Sequence, residues 1–237
     1  MKKLLVVAFL CVLNSTASAQ FTSSKKSTNT SNSSSISFNS DGWDKIYIQY
    51  NLLSLKTATR NSTNSFKDIA GIAIGYGKGI NISQSAPIFI EPNASLNYEW
   101  YDDDSYDIKI ISAKALVNLV YKWDVSPRAS IMPYIGLHAK YNFSAKLKYE
   151  AGDGNRFFSD HYYDNDGATY EYNLLEENDI DVRMKHIWIG WQFGAQLLFN
   201  QKFFLNIGYG NEFSTIMEAD YTKYNCPTLS FTAGCHF

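Results

Sequence analysis

The sequence predicts an all-β fold, an eight-stranded antiparallel up-and-down transmembrane β-barrel preceded by an N-terminal signal peptide and a disordered tail. Three observations support this prediction. Beyond Trp43, eight segments alternate apolar and polar residues, which is the period of a β-strand. The last segment ends on a terminal Phe237, as the final strand of an outer-membrane barrel does. Aromatic residues gather near the segment ends, where a membrane barrel carries its interfacial girdles.

The N-terminus carries the features of a secretory signal. Lys2 and Lys3 precede an apolar run over 4–13, and Ala17-Ser18-Ala19 supplies a cleavage site after Ala19, so 1–19 is predicted to be a signal peptide. Residues 20–42 are rich in Ser, Asn and Thr, and this composition predicts a flexible periplasmic tail because it cannot build a core. The barrel domain is therefore predicted to occupy 43–237.

The composition excludes other classes of protein. After residue 20 no apolar stretch approaches the roughly 20 residues of a spanning helix, which excludes a helical membrane protein. The formal net charge of −2 gives no indication of a nucleic-acid partner. Cys226 and Cys235 would lie about 30 Å apart on one strand, too far to bridge, and are predicted to be separate thiols.

Each of the eight segments has one apolar face without a charged residue. These faces are predicted to contact lipid, since Lys or Arg at the membrane midplane costs about 2–4 kcal/mol. A soluble lipocalin-like barrel would show the same alternation with the apolar face buried, but the signal peptide, the terminal Phe and the aromatic girdles favour the membrane. The segments are 46–52, 70–76, 88–100, 111–121, 131–143, 187–199, 203–209 and 229–237.

The lengths of the connections predict the orientation. With the tail in the periplasm the first strand runs outward, which places the extracellular loops at 54–65, 101–107, 144–185 and 214–224. The intervening connections at 81–86, 122–130 and 200–202 are short, as periplasmic turns are.

The opposite, polar faces carry five ionisable residues on three consecutive strands. An eight-stranded interior is just wide enough for side chains to fill it, and unpaired buried charges cost several kcal/mol, so these residues are predicted to pair as an interior polar network. A narrow gated pore or a proton-sensitive plug is the alternative. The predicted network consists of Glu91, Glu99, Lys114, His138 and Lys140.

The third extracellular loop, 144–185, is too long for a passive connector and is predicted to be the functional segment. It holds ten Asp and Glu residues against five Lys and Arg, together with several aromatic residues, which suits a cationic protein partner. A solvated or immune-variable loop is the alternative. No metal or cofactor is predicted, since 164–167 resembles a calcium loop but lacks the required Glu. The candidate binding surface consists of Asp160, Tyr162, Tyr163, Asp164 and Asp166.

The histidines give little support for catalysis. A lipid-modifying barrel enzyme would need Ser or His with a carboxylate near the outer leaflet. The four histidines are His138, His161, His186 and His236, and no accessible patch combines one with a serine. The chain is therefore predicted not to be an enzyme.

Three internal motifs and the last strand carry a resemblance to a known family. The motifs are PIFIEPNASLNY at 87–98, MPYIGL at 132–137 and FLNIGYGNEF at 204–213. Over 43–237 the chain resembles the outer-membrane β-barrel domain common in Bacteroidetes, which includes the PorT-like proteins and is distantly similar to the OmpA and OmpX barrels.

The resemblance implies a bacterial outer-membrane protein whose tail and C-terminus are periplasmic and whose outer face contacts lipid. It also implies that the barrel assembly machinery recognises the last strand through Leu229, Phe231 and Phe237. The expected role is structural or binding, through the loop at 144–185. The alternatives are a component of a PorT-like secretion or gliding assembly and a narrow pore.

Overall fold

The computed structural model describes residues 42–57, 65–83, 85–102, 106–150, 169–176, 182–219 and 222–237. The predicted signal peptide, almost all of the predicted tail and the central part of the third loop lie outside these ranges. The described residues contain no helix long and apolar enough to cross a membrane. The strands are β1 (Trp43–Thr57), β2 (Ser65–Asn81), β3 (Ile88–Asp102), β4 (Tyr106–Tyr121), β5 (Trp123–Ser126), β6 (Ala129–Glu150), β7 (Thr169–Asn173), β8 (Val182–Met184), β9 (Ile187–Phe199), β10 (Phe203–Glu212), β11 (Met217–Ala219), β12 (Thr222–Asn225) and β13 (Thr228–His236).

Eight of these strands form a closed antiparallel barrel. The order β1-β2-β3-β4-β6-β9-β10-β13 follows the chain, and β13 pairs back onto β1 from Lys45 opposite His236 to Leu53 opposite Thr228. Backbone hydrogen bonds between Asp44 and Phe237 fasten the two ends of the domain together. The predicted fold class, an eight-stranded up-and-down barrel, is confirmed, and each predicted segment lies mainly in its own barrel strand.

The two ends of the barrel differ. We call the end that holds Trp43 and Phe237 the terminal end, where β2 turns into β3 and β9 into β10. At this end the predicted turn at 122–130 contains β5, which pairs with the start of β6 as a short hairpin. We call the opposite end the extended end, since strands continue there beyond the predicted segments.

The prediction that 144–185 and 214–224 are loops is wrong in part. The strand β6 runs on to Glu150 and pairs with β7, while β8, β11 and β12 pair in series and reach β1. A hydrogen bond from the Met184 amide to the Leu174 carbonyl joins the segments that hold β7 and β8. These segments form strands because apolar residues alternate within them and pack against an apolar core.

That core is one of two apolar clusters that the described residues form inside the barrel. The extended core comprises sixteen buried residues at the extended end. It consists of Leu53, Leu55, Ile69, Ile108, Ile110, Ala145, Leu147, Leu174, Leu175, Val182, Met184, Trp188, Ile216, Met217, Tyr224 and Cys226. The terminal core lies at the other end and consists of Tyr47, Phe89, Val120, Met132, Leu198 and Phe204, with Trp43 and Tyr134 packed against it.

Between the two cores the interior is lined with polar side chains, while the outward face of every barrel strand is apolar. On β3, for example, buried Glu91, Asn97 and Glu99 alternate with exposed Ile90 and Leu96. At this level the large outward side chains of the eight strands are thus apolar and the charged side chains are inside. This is the reverse of the arrangement in a soluble barrel.

Interior glycines provide the space for the large side chains of the terminal core. A Cβ atom on Gly75 would lie 2.3 Å from Cζ of Tyr47, and one on Gly194 would lie 2.5 Å from the hydroxyl of Tyr134. Real Cβ atoms do not approach this closely, so the rings pack directly on the glycine backbone.

We expect Gly75→Val to destabilise the barrel by about 1–3 kcal/mol, the usual cost of overpacking a filled core. The measurement is urea unfolding of the refolded barrel. Ala70→Val on the outward face of the same strand is the matched control, since its side chain meets no packed interior, and it should change the stability by less than about 0.5 kcal/mol. Equal effects of the two substitutions would contradict the packing described here.

Among the described residues, the thiols of both cysteines are free. Cys226 is buried in the extended core and Cys235 is half-buried at the terminal end of β13, so the predicted separation of the two thiols is confirmed.

Candidate functional site

Near the terminal end, the interior polar layer centres on the carboxylate of Glu91, on β3. Its carboxylate accepts hydrogen bonds from Nζ of Lys45 at 2.7 Å and from Nε1 of Trp43 at 3.1 Å. The side-chain amides of Asn93 and Asn118 donate at 3.2 and 3.3 Å. Four donors satisfy this buried carboxylate, which matches the rule that buried charges are paired and hydrogen-bonded.

A second ion pair lies nearer the extended end of the barrel. Nζ of Lys140 on β6 is 2.6 and 2.5 Å from the two carboxylate oxygens of Glu99 on β3, and both side chains are buried. The same ammonium lies 4.2 Å from the ring centroid of Trp188 in the extended core. Lys140 therefore links the polar layer to the extended core.

The remaining predicted residues have neutral or weaker partners. Nζ of Lys114 donates to the side-chain oxygen of Gln192 at 3.1 Å. Nε2 of His138 lies 3.7 Å from Oε1 of Glu212, beyond hydrogen-bond distance. Of the five residues predicted to form a network, only Glu99 and Lys140 pair with each other.

Two of the charged partners, Lys45 and Glu212, lie outside the segments predicted from the sequence. Lys45 has the same inward parity on β1 as Gln49 and Asn51, and Glu212 has the same inward parity on β10 as Asn206. Lys45 lies one residue before the predicted segment 46–52, and Glu212 lies three residues after 203–209. Extending each alternation by a few residues would have placed both inside.

The polar layer leaves little free space. Two interior cavities of about 30 Å³ each lie along it, and both are lined by Gln192 and Ser230. A cavity of this size holds a few water molecules at most. Seven buried polar atoms have no partner among the described residues, including Nδ1 of His138 and Oε2 of Glu212. Four of the seven residues line the cavities, namely Asn93, Asn206, His138 and Glu212, and water there is the natural partner for their atoms.

The candidate binding surface of the third loop, Asp160, Tyr162, Tyr163, Asp164 and Asp166, lies outside the described residues. The described parts of 144–185 are the stems of this loop. They carry Lys146, Lys148, Arg183 and Lys185, which are four of the five basic residues of the loop. Seven of its ten acidic residues lie in the two stretches that are not described, 151–168 and 177–181.

The three described histidines occupy different places. His138 faces Glu212 in the interior, Nδ1 of His186 lies 3.4 Å from the Asn142 carbonyl, and Nε2 of His236 lies 3.0 Å from the Gln196 amide nitrogen. The ring of His236 also stacks on that of Trp43. None of these partners is a serine. His161 lies outside the described residues.

The three residues predicted to signal assembly lie at the last strand. Leu229 and Phe231 belong to β13, and Phe237 follows it at the terminal end. Phe231 and Phe237 are both exposed on the outward face.

Comparison with known proteins gives similarities to solved barrels only. No protein-family model matches the chain. No curated protein matches it either. Ail, the attachment invasion locus protein of Yersinia pestis, is 14% identical with a TM-score of 0.42, and the match covers 83% of this chain and 99% of Ail.

Two further structures are similar to a comparable degree. Neisserial surface protein A is 16% identical with a TM-score of 0.41, covering 81% of this chain and 97% of that one. The N-terminal β-barrel domain of Pseudomonas aeruginosa OprF is 12% identical with a TM-score of 0.33, covering 81% and 97%. The strand pairing of the chain itself establishes the closed eight-stranded barrel to which these similarities refer.

Proposed function

We propose that the chain is a non-enzymatic bacterial outer-membrane barrel that displays the segment 144–185 outside the cell as a binding surface. One observation carries this proposal: between the two ends of the barrel the outward faces of all eight strands are apolar and exposed, while the charged side chains at this level are inside. Exposure of so large a continuous apolar surface to water is unfavourable, whereas its contact with the hydrocarbon of a bilayer is favourable. A lipocalin-like soluble barrel would have the two faces reversed.

Aromatic side chains at both margins of this surface support the membrane assignment. Exposed Tyr76, Tyr121, Trp123, Phe203 and Phe237 lie near the terminal end. Exposed Tyr98, Tyr141, Phe143 and Phe213 lie toward the extended end. On β4 the apolar face spans eleven residues from Ile111 to Tyr121. The ten steps between them, at about 3.3 Å per residue and a tilt of about 40°, cover roughly 25 Å, the height of a membrane barrel's apolar band.

The asymmetry of the two ends supports an orientation with the terminal end in the periplasm. Short connections at the terminal end suit the periplasm, and the added strands of the extended end suit the cell exterior. The tail and the C-terminus would then be periplasmic, where the assembly machinery would meet Leu229, Phe231 and Phe237.

A display function suits the extended end. The extended core gives the stems of the loop a packed support, so the acidic and aromatic segment between them would be held at a fixed place above the membrane. Acidic residues interspersed with tyrosines favour a cationic protein partner.

Two experiments test this function. Protease treatment of intact cells should cleave within 144–185 and leave a heat-modifiable barrel in the outer membrane. Crosslinking from intact cells should then capture a partner that is lost when Asp160, Asp164 and Asp166 are changed to Asn. The matched control is Asp124→Asn at the terminal end, which should leave the crosslink unchanged. A partner captured equally by both variants would exclude this loop surface, and a soluble, uniformly cleaved protein would overturn the membrane assignment.

The narrow pore is the weaker alternative because both ends of the interior are packed. The terminal core with its stacked Trp43 and the extended core lie on either side of the polar layer. We expect the purified barrel to show no stepwise conductance in planar bilayers across the range of pH at which it stays folded. Discrete single-channel openings by the unmodified protein would contradict the filled interior and favour the pore.

A further inference from the structure

Two lysines lie side by side just beyond the apolar surface at the extended end. Lys109 on β4 and Lys146 on β6 are opposite each other in the sheet, and both are exposed. We call this pair the lysine row. The last exposed apolar residues below it are Ile111 and Phe143, two and three residues away along their strands.

This spacing places the lysine row at the depth of the lipid headgroups. Two or three residues extend about 7–10 Å along a strand, which a tilt of about 40° reduces to roughly 5–8 Å above the apolar surface. The headgroup region on each side of a bilayer is about 5–8 Å thick. On the adjacent strand Trp100 is paired with Lys109, and its ring stacks on that of Tyr98. Tryptophan and tyrosine concentrate at this same depth.

The next row outward has the opposite charge. Asp102 is opposite Asp107, Asp107 is opposite Lys148, and Lys148 is opposite Glu171. We call these four residues the acidic row, since it holds three carboxylates and one ammonium. The lysine row beneath it holds two ammonium groups opposite each other. The charges are therefore layered, with the positive layer nearer the membrane.

The contacts within the two rows leave the lysines with unused donors. Nζ of Lys109 lies 2.6 Å from the Asp107 carboxylate, and Nζ of Lys146 lies 2.7 Å from that of Glu171. Each ammonium has three donors, and the two side chains are 49% and 58% exposed. Like charges directly opposite in a sheet are destabilising, and Glu171 is shared with Lys148, whose Nζ lies 4.0 Å away. An additional anion beside the lysine row would relieve this repulsion.

We propose that Lys109 and Lys146 bind a phosphate group of an outer-leaflet lipid. The inference rests on the proposed membrane location and orientation, which bring lipid phosphate to this depth. The lysine row is open and lies along the membrane margin, whereas a site for free phosphate would be enclosed by its ligands. The Lys146 ammonium also lowers the pKa of the Glu171 carboxyl, so the shared carboxylate remains ionised and competes with the lipid.

The test uses the folded full-length barrel in a neutral detergent and native mass spectrometry. Bound lipid A is counted with phosphorylated and with dephosphorylated lipid A as probes. The unmodified barrel should prefer the phosphorylated form. Lys109→Gln combined with Lys146→Gln should lower the affinity for it by about 25-fold, since each lysine near an anionic surface contributes about fivefold. Glu171→Gln should raise the affinity, because it removes the competing carboxylate.

Lys78→Gln combined with Lys202→Gln, at the terminal end, is the matched control and should leave the affinity unchanged. Equal loss in the two double variants would overturn the site, since it would indicate unspecific attraction. Displacement of lipid A by millimolar inorganic phosphate would also overturn it, in favour of free phosphate. In each of these cases a heat-modifiable barrel leaves the proposed membrane function intact. A barrel that is not heat-modifiable in lipid or detergent would overturn the membrane function and this inference together.

Discussion

Leu137→Lys lowers the free energy of unfolding of the barrel in phospholipid vesicles by about 2–4 kcal/mol, the cost of a lysine facing lipid at the midplane. Leu137 lies halfway along the apolar face of β6, between Ile131 and Phe143, and its side chain is 61% exposed. In a water-soluble barrel the same substitution on an exposed leucine would change the stability by less than about 0.5 kcal/mol. Urea titration, followed by the heat-modifiable shift on gels, measures the difference.

The control for this prediction tests depth. Val125 in β5 is 57% exposed but lies at the terminal end, so Val125→Lys should cost only about 0–1 kcal/mol. The two side chains are almost equally exposed, and the difference between the variants therefore measures their depth in lipid. Equal small effects at both positions would show that the apolar surface does not face a bilayer.

Lys140→Met lowers the free energy of unfolding by about 3–5 kcal/mol, because it leaves the buried Glu99 carboxylate without its cation. Lys140 also loses its contact with the Trp188 ring. The measurement is the same urea titration in vesicles, with heat-modifiability as the test for a native barrel.

Two further variants separate the ion pair from general damage. Glu99→Leu in the Lys140→Met background removes both buried charges and should restore most of the loss, since a buried pair can be replaced by apolar residues at little cost. Lys146→Met breaks an exposed pair of similar length and should cost at most about 1 kcal/mol. A double variant no more stable than Lys140→Met alone would contradict the pairing of Glu99 with Lys140.

The fold could be predicted because each barrel strand repeats one rule. Outward residues such as Ile74 and Leu96 alternate with inward ones such as Ala73 and Asn97, so successive side chains point to opposite faces of the barrel wall. The closure of β13 on β1 then follows, since a membrane barrel leaves no free edge. Periodicity alone therefore predicted the number of strands and their order.

The same alternation does not predict the additional strands of the extended end. The strands β7, β8, β11 and β12 are three to five residues long, too short for alternation to be distinguished from chance. Leu174 and Met217 stand in short apolar pairs, Leu174-Leu175 and Ile216-Met217, within polar segments, yet they join the extended core through contacts between distant parts of the chain. Long-range packing of this kind leaves no local signal.

The sequence predicts which residue types form the interior network, but only some of the pairs that these residues make. The alternation of side chains along each strand places Glu91 and Lys140 inside the barrel. Which of the neighbouring cations each carboxylate meets depends on cross-strand register and side-chain length. Register therefore decided that Glu91 pairs with Lys45, and Glu99 with Lys140. The composition of 144–185 as a whole hides that its basic residues lie mainly on the described stems.

The most direct measurement of the central claim is the environment of a spin label attached at position 137 in vesicles. The label is placed by Leu137→Cys in a Cys235→Ala background. Burial raises the pKa of the Cys226 thiol well above its ordinary value, so that thiol should not react. A second label at Lys148→Cys, outward-facing and beyond the apolar surface, is the reference. We predict that the label at 137 collides with dissolved oxygen and is shielded from a water-soluble nickel chelate, with the reverse at 148. Equal access of the chelate to both labels would contradict a membrane-embedded barrel.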